Sequence, residues 1–269
     1  MNTNPAQTNI ASPKVGLALG GGSSRGFAHM GVIDVLEREG IPIHMVSGCS
    51  MGSIIGGIYA SGCDISYLDS FIRAIDLKKL WDYTVPAHGY VRGRKIQQMI
   101  QILTRSYCFG QTKLPFSCIA VDMETGELVT FREGPLHEAI RASISIPGVF
   151  IPHKYKGRVY VDGGVLDRNA IAAAREIGAE FVIASDVGYR GEGLPKPNGI
   201  IQVLENSFTF ATWALTREQL KNADVVIKVP LSDIDGNTTD DKDVATIIER
   251  GREAAKKYVP EIKEKLGLK

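Results

Sequence analysis

Short apolar runs alternate with amphipathic stretches along the first third of the chain. "KVGLALG" (14–20) is an unbroken apolar run ending in glycines, the pattern of a strand covered on both faces in a parallel sheet. From Ser24 to Glu39 the apolar residues Ala28, Val32, Val35 and Leu36 recur at helical spacing, and Gly40 stops the helix. "PIHMVSG" (42–48) predicts a second strand. "MGSIIGGIYASG" (51–62) predicts a small-residue helix that packs closely and ends at Gly62. This β-α-β-α order predicts an α/β fold of three layers, with a mostly parallel central sheet between helices.

Residues 64–113 read as mostly helical and irregular, with 80–93 the least regular part, aromatic and rich in turn residues. "FSCIAVDMETGELVTF" (116–131) predicts two strands joined at Glu124-Thr125-Gly126. Residues 135–148 predict a helix opened by Pro135 and closed by Pro147-Gly148. A strand (158–164) running into glycines, a helix (169–177) and a buried strand (181–186) follow. Then come a loop (191–199), a helix (201–220) whose segment 208–215 is expected in the core, and a last strand (223–231). An acidic, solvated loop (233–243) and an amphipathic helix (244–266) close the chain. No repeat or long linker divides it. The expectation is a disordered polar tail over 1–13 and one domain over 14–269. Its motif-bearing core spans about 15–175, and further strands and helices occupy 176–269.

Composition narrows the function classes. The 269 residues carry a formal net charge of +1 and are 44% apolar, enough for a sizeable core. Near-zero charge speaks against nucleic acid as a partner. Cys49, Cys63, Cys108 and Cys118 form no C-x-x-C, so free thiols in a reducing cytosol are expected rather than a metal site or disulfides. The polar N-terminus has no apolar h-region, and no run approaches the roughly 20 apolar residues of a spanning helix. A cytoplasmic protein is expected, with any membrane contact peripheral. "DIDGNTTDDKD" (233–243) lacks the spacing of a calcium loop, and neither a metal nor a cofactor is expected.

The candidate chemistry begins at Gly48-Cys49-Ser50-Met51-Gly52, a G-x-S-x-G between a strand and a helix. That context marks a serine held on a sharp turn with its hydroxyl exposed. One strand earlier, Gly20-Gly21-Gly22 precedes a helix, where backbone N–H groups and the helix dipole favour an anion. A P-loop would need Lys and Ser/Thr after Gly26, where Phe27-Ala28 stand. A dinucleotide loop would need a third glycine where Arg25 stands. A developing oxyanion remains, beside the alternative of a plain structural turn.

A serine nucleophile needs a base. The histidines are His29, His44, His88, His137 and His153, none within 154–269, whereas a triad histidine normally comes late in that fold. His29 and His44 read as structural. Chain order alone leaves His137 and His153 open. The carboxylate candidate is Asp162, which ends a short strand and is followed by Gly163 and Gly164. Two glycines permit close approach by another element, although Asp-Gly also suits an ordinary turn.

Taken together and in this order, "LALGGGSSRGFAHMGVIDVLE", "GCSMGS", "AIRASISIPGVF" and "VDGGVLDRN" resemble the bacterial patatin-like phospholipases over most of the chain from Lys14 onward. The resemblance implies a patatin-like fold and a hydrolase of lipid or other acyl esters working through a Ser-Asp dyad. Ser50 would be the nucleophile and Asp162 the base, with Gly48, Gly52, Gly163 and Gly164 as supporting motif glycines. It places the oxyanion hole on Gly21, Gly22 and Ser23, with Arg25 as the family's basic residue in that loop. Two departures stand out. Ser23 replaces a frequent glycine, which restricts φ. Leu166-Asp167-Arg168-Asn169-Ala170 replaces a frequent Asn-Pro, which affects helix entry.

A bare aspartate is a weak base, so Asp162 is expected at the floor of an apolar pocket with a raised pKa. The segment 80–93, with Trp81, Tyr83, Val85 and Tyr90, is a candidate lid or pocket rim. Two other readings stay open: an interaction protein that keeps the motifs with little turnover, and a triad hydrolase using His137 or His153.

Overall fold

The computed structural model describes residues 12–85, 89–191, 196, 197 and 199–269. Most of the expected N-terminal tail and of the 191–199 loop lies outside the described residues. Strands β1 (Val15–Leu19), β2 (Met45–Cys49), β3 (Phe116–Asp122), β7 (Phe181–Asp186) and β8 (Val225–Lys228) run parallel, in the order β3-β2-β1-β7-β8. Every residue of β1, β2, β3 and β7 is buried, as continuous apolar runs require. Strands β4 (Leu128–Phe131) and β6 (Arg158–Asp162) pair antiparallel with β3, and β5 (His153–Tyr155) pairs with β6.

The helices α1 (Ala28–Arg38), α2 (Met51–Ala60), α3 (Ile65–Ala74), α4 (Arg94–Leu103), α5 (Leu136–Ser143) and α8 (Asp241–Leu266) share one core with Val15, Leu17 and Leu19 of β1. The opposite face, through Ala18, packs against Ile171 and Ala174 of α6 (Ile171–Glu176), with Trp213 of α7 (Ile200–Gln219) at its edge. Alternate residues of one buried strand thus serve two helical layers. The fold is three-layer α/β/α around a mixed, mostly parallel sheet.

Several expectations change. Strand β5 has no apolar signature; it exists because Lys156 and Gly157, both at positive φ, make a two-residue turn back into β6. Helix α5 stops at Ser143, well before Pro147-Gly148. The chain beyond it leaves the carbonyl of Ser145 free to accept the Asp162 N–H at 3.0 Å. Residues 208–215 are only partly core: Phe210 and Leu215 are exposed, while Trp213 packs at the edge of the second core. The acidic loop is not simply solvated, because Ile234 is buried within it.

The register on β3 positions the site. Strand β2 pairs with 116–119, β4 with 118–121 and β6 with 120–122. A strand has two edges. Since β4 overlaps both of the others, β2 and β6 must share the opposite edge. They approach along it from opposite directions, β2 ending at Cys49 beside Ile119 and β6 at Asp162 beside Ala120. The residue after β2 therefore meets the last residue of β6.

Candidate active site

Ser50 occupies the turn between β2 and α2 with φ 51° and ψ −124°, a region that L-residues rarely adopt. The flanking glycines make this turn possible. A Cβ on Gly52 would overlap the Leu19 carbonyl, and one on Gly48 would fall 2.6 Å from the Ser53 Cα. The helix start thus sits directly on the strand ends. The Ser50 N–H donates to Ser143 Oγ at 3.0 Å, and its carbonyl accepts from the Ser53 N–H and hydroxyl at 2.8 and 2.6 Å. These bonds hold the backbone strain in place.

The Ser50 hydroxyl stands beside the Asp162 carboxylate and helps to hold its pKa down. Both side chains are nearly closed to solvent, 6% and 5% exposed. Asp162 Oδ1 also accepts the Gly164 N–H at 2.7 Å and the Cys49 thiol at 3.6 Å. Gly163 lets this corner lie against β3, for its Cβ would sit 2.7 Å from the Ile119 carbonyl. Burial pushes the Asp162 carboxyl above the usual carboxylate range, against the hydrogen bonds from Ser50 and Gly164, the charge of Arg168 and the bond from Cys49. Burial together with Asp162 pushes the Cys49 thiol well up, so Cys49 stays a neutral donor.

The glycine loop lies within contact of Ser50: a Cβ on Gly21 would be 3.2 Å from the Ser50 Cβ. Its N–H groups divide. That of Gly20 donates to Ser185 O at 3.1 Å and that of Gly21 to Arg168 O at 2.8 Å. Among the described residues, none accepts from the N–H of Gly22 or Ser23. Of the three N–H groups expected at the oxyanion hole, that of Gly21 is thus taken up by Arg168. The Arg25 guanidinium donates to the Ile234 carbonyl at 2.8 and 3.0 Å. The Ser24 N–H donates to Gly236 O at 2.8 Å, so this stretch ties the 233–243 loop over the glycine loop. Ser23 takes φ 50°, the conformation for which glycine is preferred. The departure at 166–170 reaches further than helix entry, because the Arg168 carbonyl holds Gly21.

None of the described histidines faces Ser50. His29 is fully buried, with Nε2 2.7 Å from Gly20 O and Nδ1 2.9 Å from Ser185 Oγ. Desolvation lowers its pKa to about 4, so a neutral ring donates through Nε2 and accepts at Nδ1. It clamps the glycine loop to β7. His44 Nδ1 accepts the Val15 N–H. His153 bonds Glu138 at 2.6 Å and His137 lies 3.5 Å from the same carboxylate. That cluster sits six residues from Ser143 along α5, about 9 Å at the helical rise. His88 lies outside the described residues.

From Ser50 an apolar cleft runs between α2, α3 and α4, lined by Phe27, Ile54, Ile58, Leu68, Ile72 and Met99 among others. Trp81 and the 233–243 loop, through Gly236, Asn237 and Thr239, also line it. Asp162 is absent from the lining: it stands behind Ser50 rather than on the floor of the cleft. Among the described residues no group of three or more His, Cys, Asp or Glu could hold a metal ion.

Comparison with known proteins fits this geometry. The patatin-like phospholipase family model matches residues 17–175, more than half of the chain. The chain belongs to the patatin-like phospholipase family. An uncharacterized NTE family protein of Mycobacterium tuberculosis is 38% identical over 176 residues, covering 65% of this chain and 49% of its own length. Lysophospholipase NTE1 of Scheffersomyces stipitis is 32% identical over 203 residues, covering 71% of this chain and 13% of that one. The chain thus spans about half the length of the mycobacterial relative and far less of the yeast one. Among solved structures, VipD from Legionella pneumophila superposes with a TM-score of 0.68 at 14% identity, over 93% of this chain and 67% of that one. The type III effector protein ExoU superposes with a TM-score of 0.52 at 13% identity, over 93% and 54% of the two chains. At such identities these two support the patatin-like fold alone.

Three contributors carry no sequence signal of their own. Ser143 holds the Ser50 N–H, His29 holds the glycine loop, and the 233–243 loop walls the cleft. Only Ser143 and His29 lie inside quoted family motifs, and neither motif states what the residue does.

Proposed function

We propose that this patatin-like protein is a lipid acyl hydrolase of the phospholipase A, lysophospholipase or carboxylesterase kind, working through a Ser50-Asp162 dyad. One observation carries the reading: a strained serine beside a buried carboxylate at the head of an apolar cleft. The name of the yeast relative, a lysophospholipase, agrees with the substrate class.

The chemistry follows from the geometry. An acyl chain lies in the cleft and brings its ester carbonyl to Ser50. Asp162 takes the hydroxyl proton as Ser50 attacks. Burial makes the aspartate a stronger base than one in water, and so closer in pKa to its task. The N–H groups of Gly22 and Ser23 would receive the developing oxyanion; one such donor was worth roughly 3–4 kcal/mol in a well-studied protease. The alcohol leaves with the proton from Asp162, giving an acyl-enzyme, and water then releases the fatty acid by the same steps. His29 acts by keeping Gly20, and with it the loop, in register. We place the oxyanion hole at Gly22 and Ser23, and read Arg25 as the strut of the 233–243 loop.

Fluorophosphonate labelling followed by intact mass tests the reading. One adduct on the wild-type protein, none on Ser50→Ala, and turnover of p-nitrophenyl esters by the former only are expected. A protein that takes no label and turns over no ester or lipid would leave a non-catalytic member of the family.

A further inference from the structure

We propose that residues 77–85 and 89–95 form a docking surface for an anionic lipid bilayer, placed so that lipid passes from the bilayer straight into the cleft. This deepens the lipid-hydrolase reading and depends on it for its purpose. Leu77, Leu80 and Trp81 line the cleft, so this segment is its rim. Immediately outward, Tyr83 is 72% exposed and Val85 86% exposed. They project from a well-anchored frame. The Trp81 ring stacks between Tyr83 and Phe150, at centroid distances of 6.2 and 5.9 Å. Thr84 N–H donates to Tyr90 O at 2.9 Å, and the Tyr90 and Val91 N–H groups donate to Val149 O at 2.8 and 2.9 Å. Apolar side chains held out in water beside a greasy cleft are the arrangement of an interfacial anchor.

Charge selects the occupant. Between Asp76 and Lys95 five basic residues (Lys78, Lys79, Arg92, Arg94 and Lys95) stand against two acids, Asp76 and Asp82, a net +3 on a chain of total +1, with Lys79 Nζ 3.9 Å from Asp76. Asp82 is turned inward, its oxygens accepting the Gly93 and Arg94 N–H groups at 2.7 and 3.0 Å. All five basic residues are exposed, and Lys95 Nζ reaches the Lys79 carbonyl, which gathers two of them at one place. A second copy docked face to face would oppose like charges. An anionic bilayer meets both features, with the bases against headgroups and Tyr83 and Val85 at the acyl boundary. The exposed apolar face of α7, with Ile200, Val203, Leu204, Phe210 and Leu215, has no base before Arg217 and contributes nothing to the cleft lining. It serves as the control surface.

The test is co-sedimentation of the full chain, in a Ser50→Ala background so that turnover is irrelevant. Vesicles of phosphatidylcholine are compared with vesicles containing about 30 mol% phosphatidylglycerol. The anionic vesicles are expected to bind about tenfold more tightly, with the difference shrinking as salt rises. Lys79→Glu and Val85→Ser should each weaken that binding several-fold at an unchanged melting temperature, while Leu204→Ser leaves it intact. Equal binding to both vesicles, or full binding by Lys79→Glu and Val85→Ser, would overturn the proposal, as would loss of binding in Leu204→Ser alone. Vesicle binding without ester turnover in the wild-type protein would sink the hydrolase reading and spare the surface. Ester turnover without vesicle binding would do the reverse.

Discussion

The strand-end corner around Ser50 and the rim of the cleft are built from different materials. Ser50, Asp162 and the glycine loop lie at ends of buried strands, with Ser50 and Ser23 both at positive φ and Ser50 held by backbone and side-chain hydrogen bonds. Among the described residues of the rim, 77–85 and 89–93 have little regular structure beyond a 3-10 turn, and Tyr83, Val85 and five bases between 78 and 95 face solvent. Where a proton must move between two atoms, the chain accepts strain and excludes water. Where a lipid must be gathered, it offers exposed surface of the right chemistry. Substitutions at that corner should therefore lower turnover of every ester, soluble or aggregated. Substitutions on the rim should change only what happens at a lipid surface.

The largest effect is expected at the elbow. Ser50→Ala should cut kcat on p-nitrophenyl esters by at least about 10⁴-fold, on the precedent of nucleophile deletions elsewhere, while the fold stays intact by circular dichroism. Gly52→Ala drives a methyl group into the Leu19 carbonyl, and its backbone cannot yield without moving β1. A loss of about 3 kcal/mol or more in urea denaturation is expected. If Gly52→Ala folds normally, the close seating of α2 on the strands is wrong.

The next effect is a pH dependence of stability through His29. Its folded pKa, about 4, lies below the ordinary 6.5, so the unfolded chain takes up a proton that the folded chain refuses. The contribution is complete above pH 6.5 and fades as pH falls to about 4, by about 3 kcal/mol in all. Urea midpoints measured across that range should decline, and His29→Gln should flatten the decline while lowering kcat more than it raises KM. The smallest effect belongs to Ser23→Gly. Relief of a left-handed serine should stabilise the protein by about 0.5–1 kcal/mol and leave the N–H in place, with kcat within a few-fold of wild type.

What the sequence made legible follows the same divide. Strands β1, β2 and β7 could be read because both their faces are covered, which leaves continuous apolar runs. The elbow and the Asp-Gly-Gly corner could be read because backbone geometry demands glycine at fixed offsets. What decided the site was tertiary. That Arg168 takes the Gly21 N–H, and that Ile234 takes the Arg25 guanidinium, depends on chain arriving from about 145 and 209 residues away. The meeting of β2 and β6 on one edge of β3 depends on register, which no local pattern states. Helix α7 misleads for a related reason: helical spacing shows where apolar residues fall, and only the fold shows whether anything covers them.

The dyad itself is tested most directly by turnover of Asp162→Asn on a soluble p-nitrophenyl ester, measured beside its melting temperature at neutral pH. Asparagine keeps an oxygen for the Gly164 and Cys49 donors and removes a buried charge. Because burial raises the Asp162 pKa, that charge costs stability above the ordinary carboxylate pKa. The expected result is a fall in kcat of about 10³-fold or more in a protein that melts no lower than wild type. Near-full turnover by Asp162→Asn, joined to its loss in His137→Ala or His153→Ala, would contradict a Ser50-Asp162 dyad.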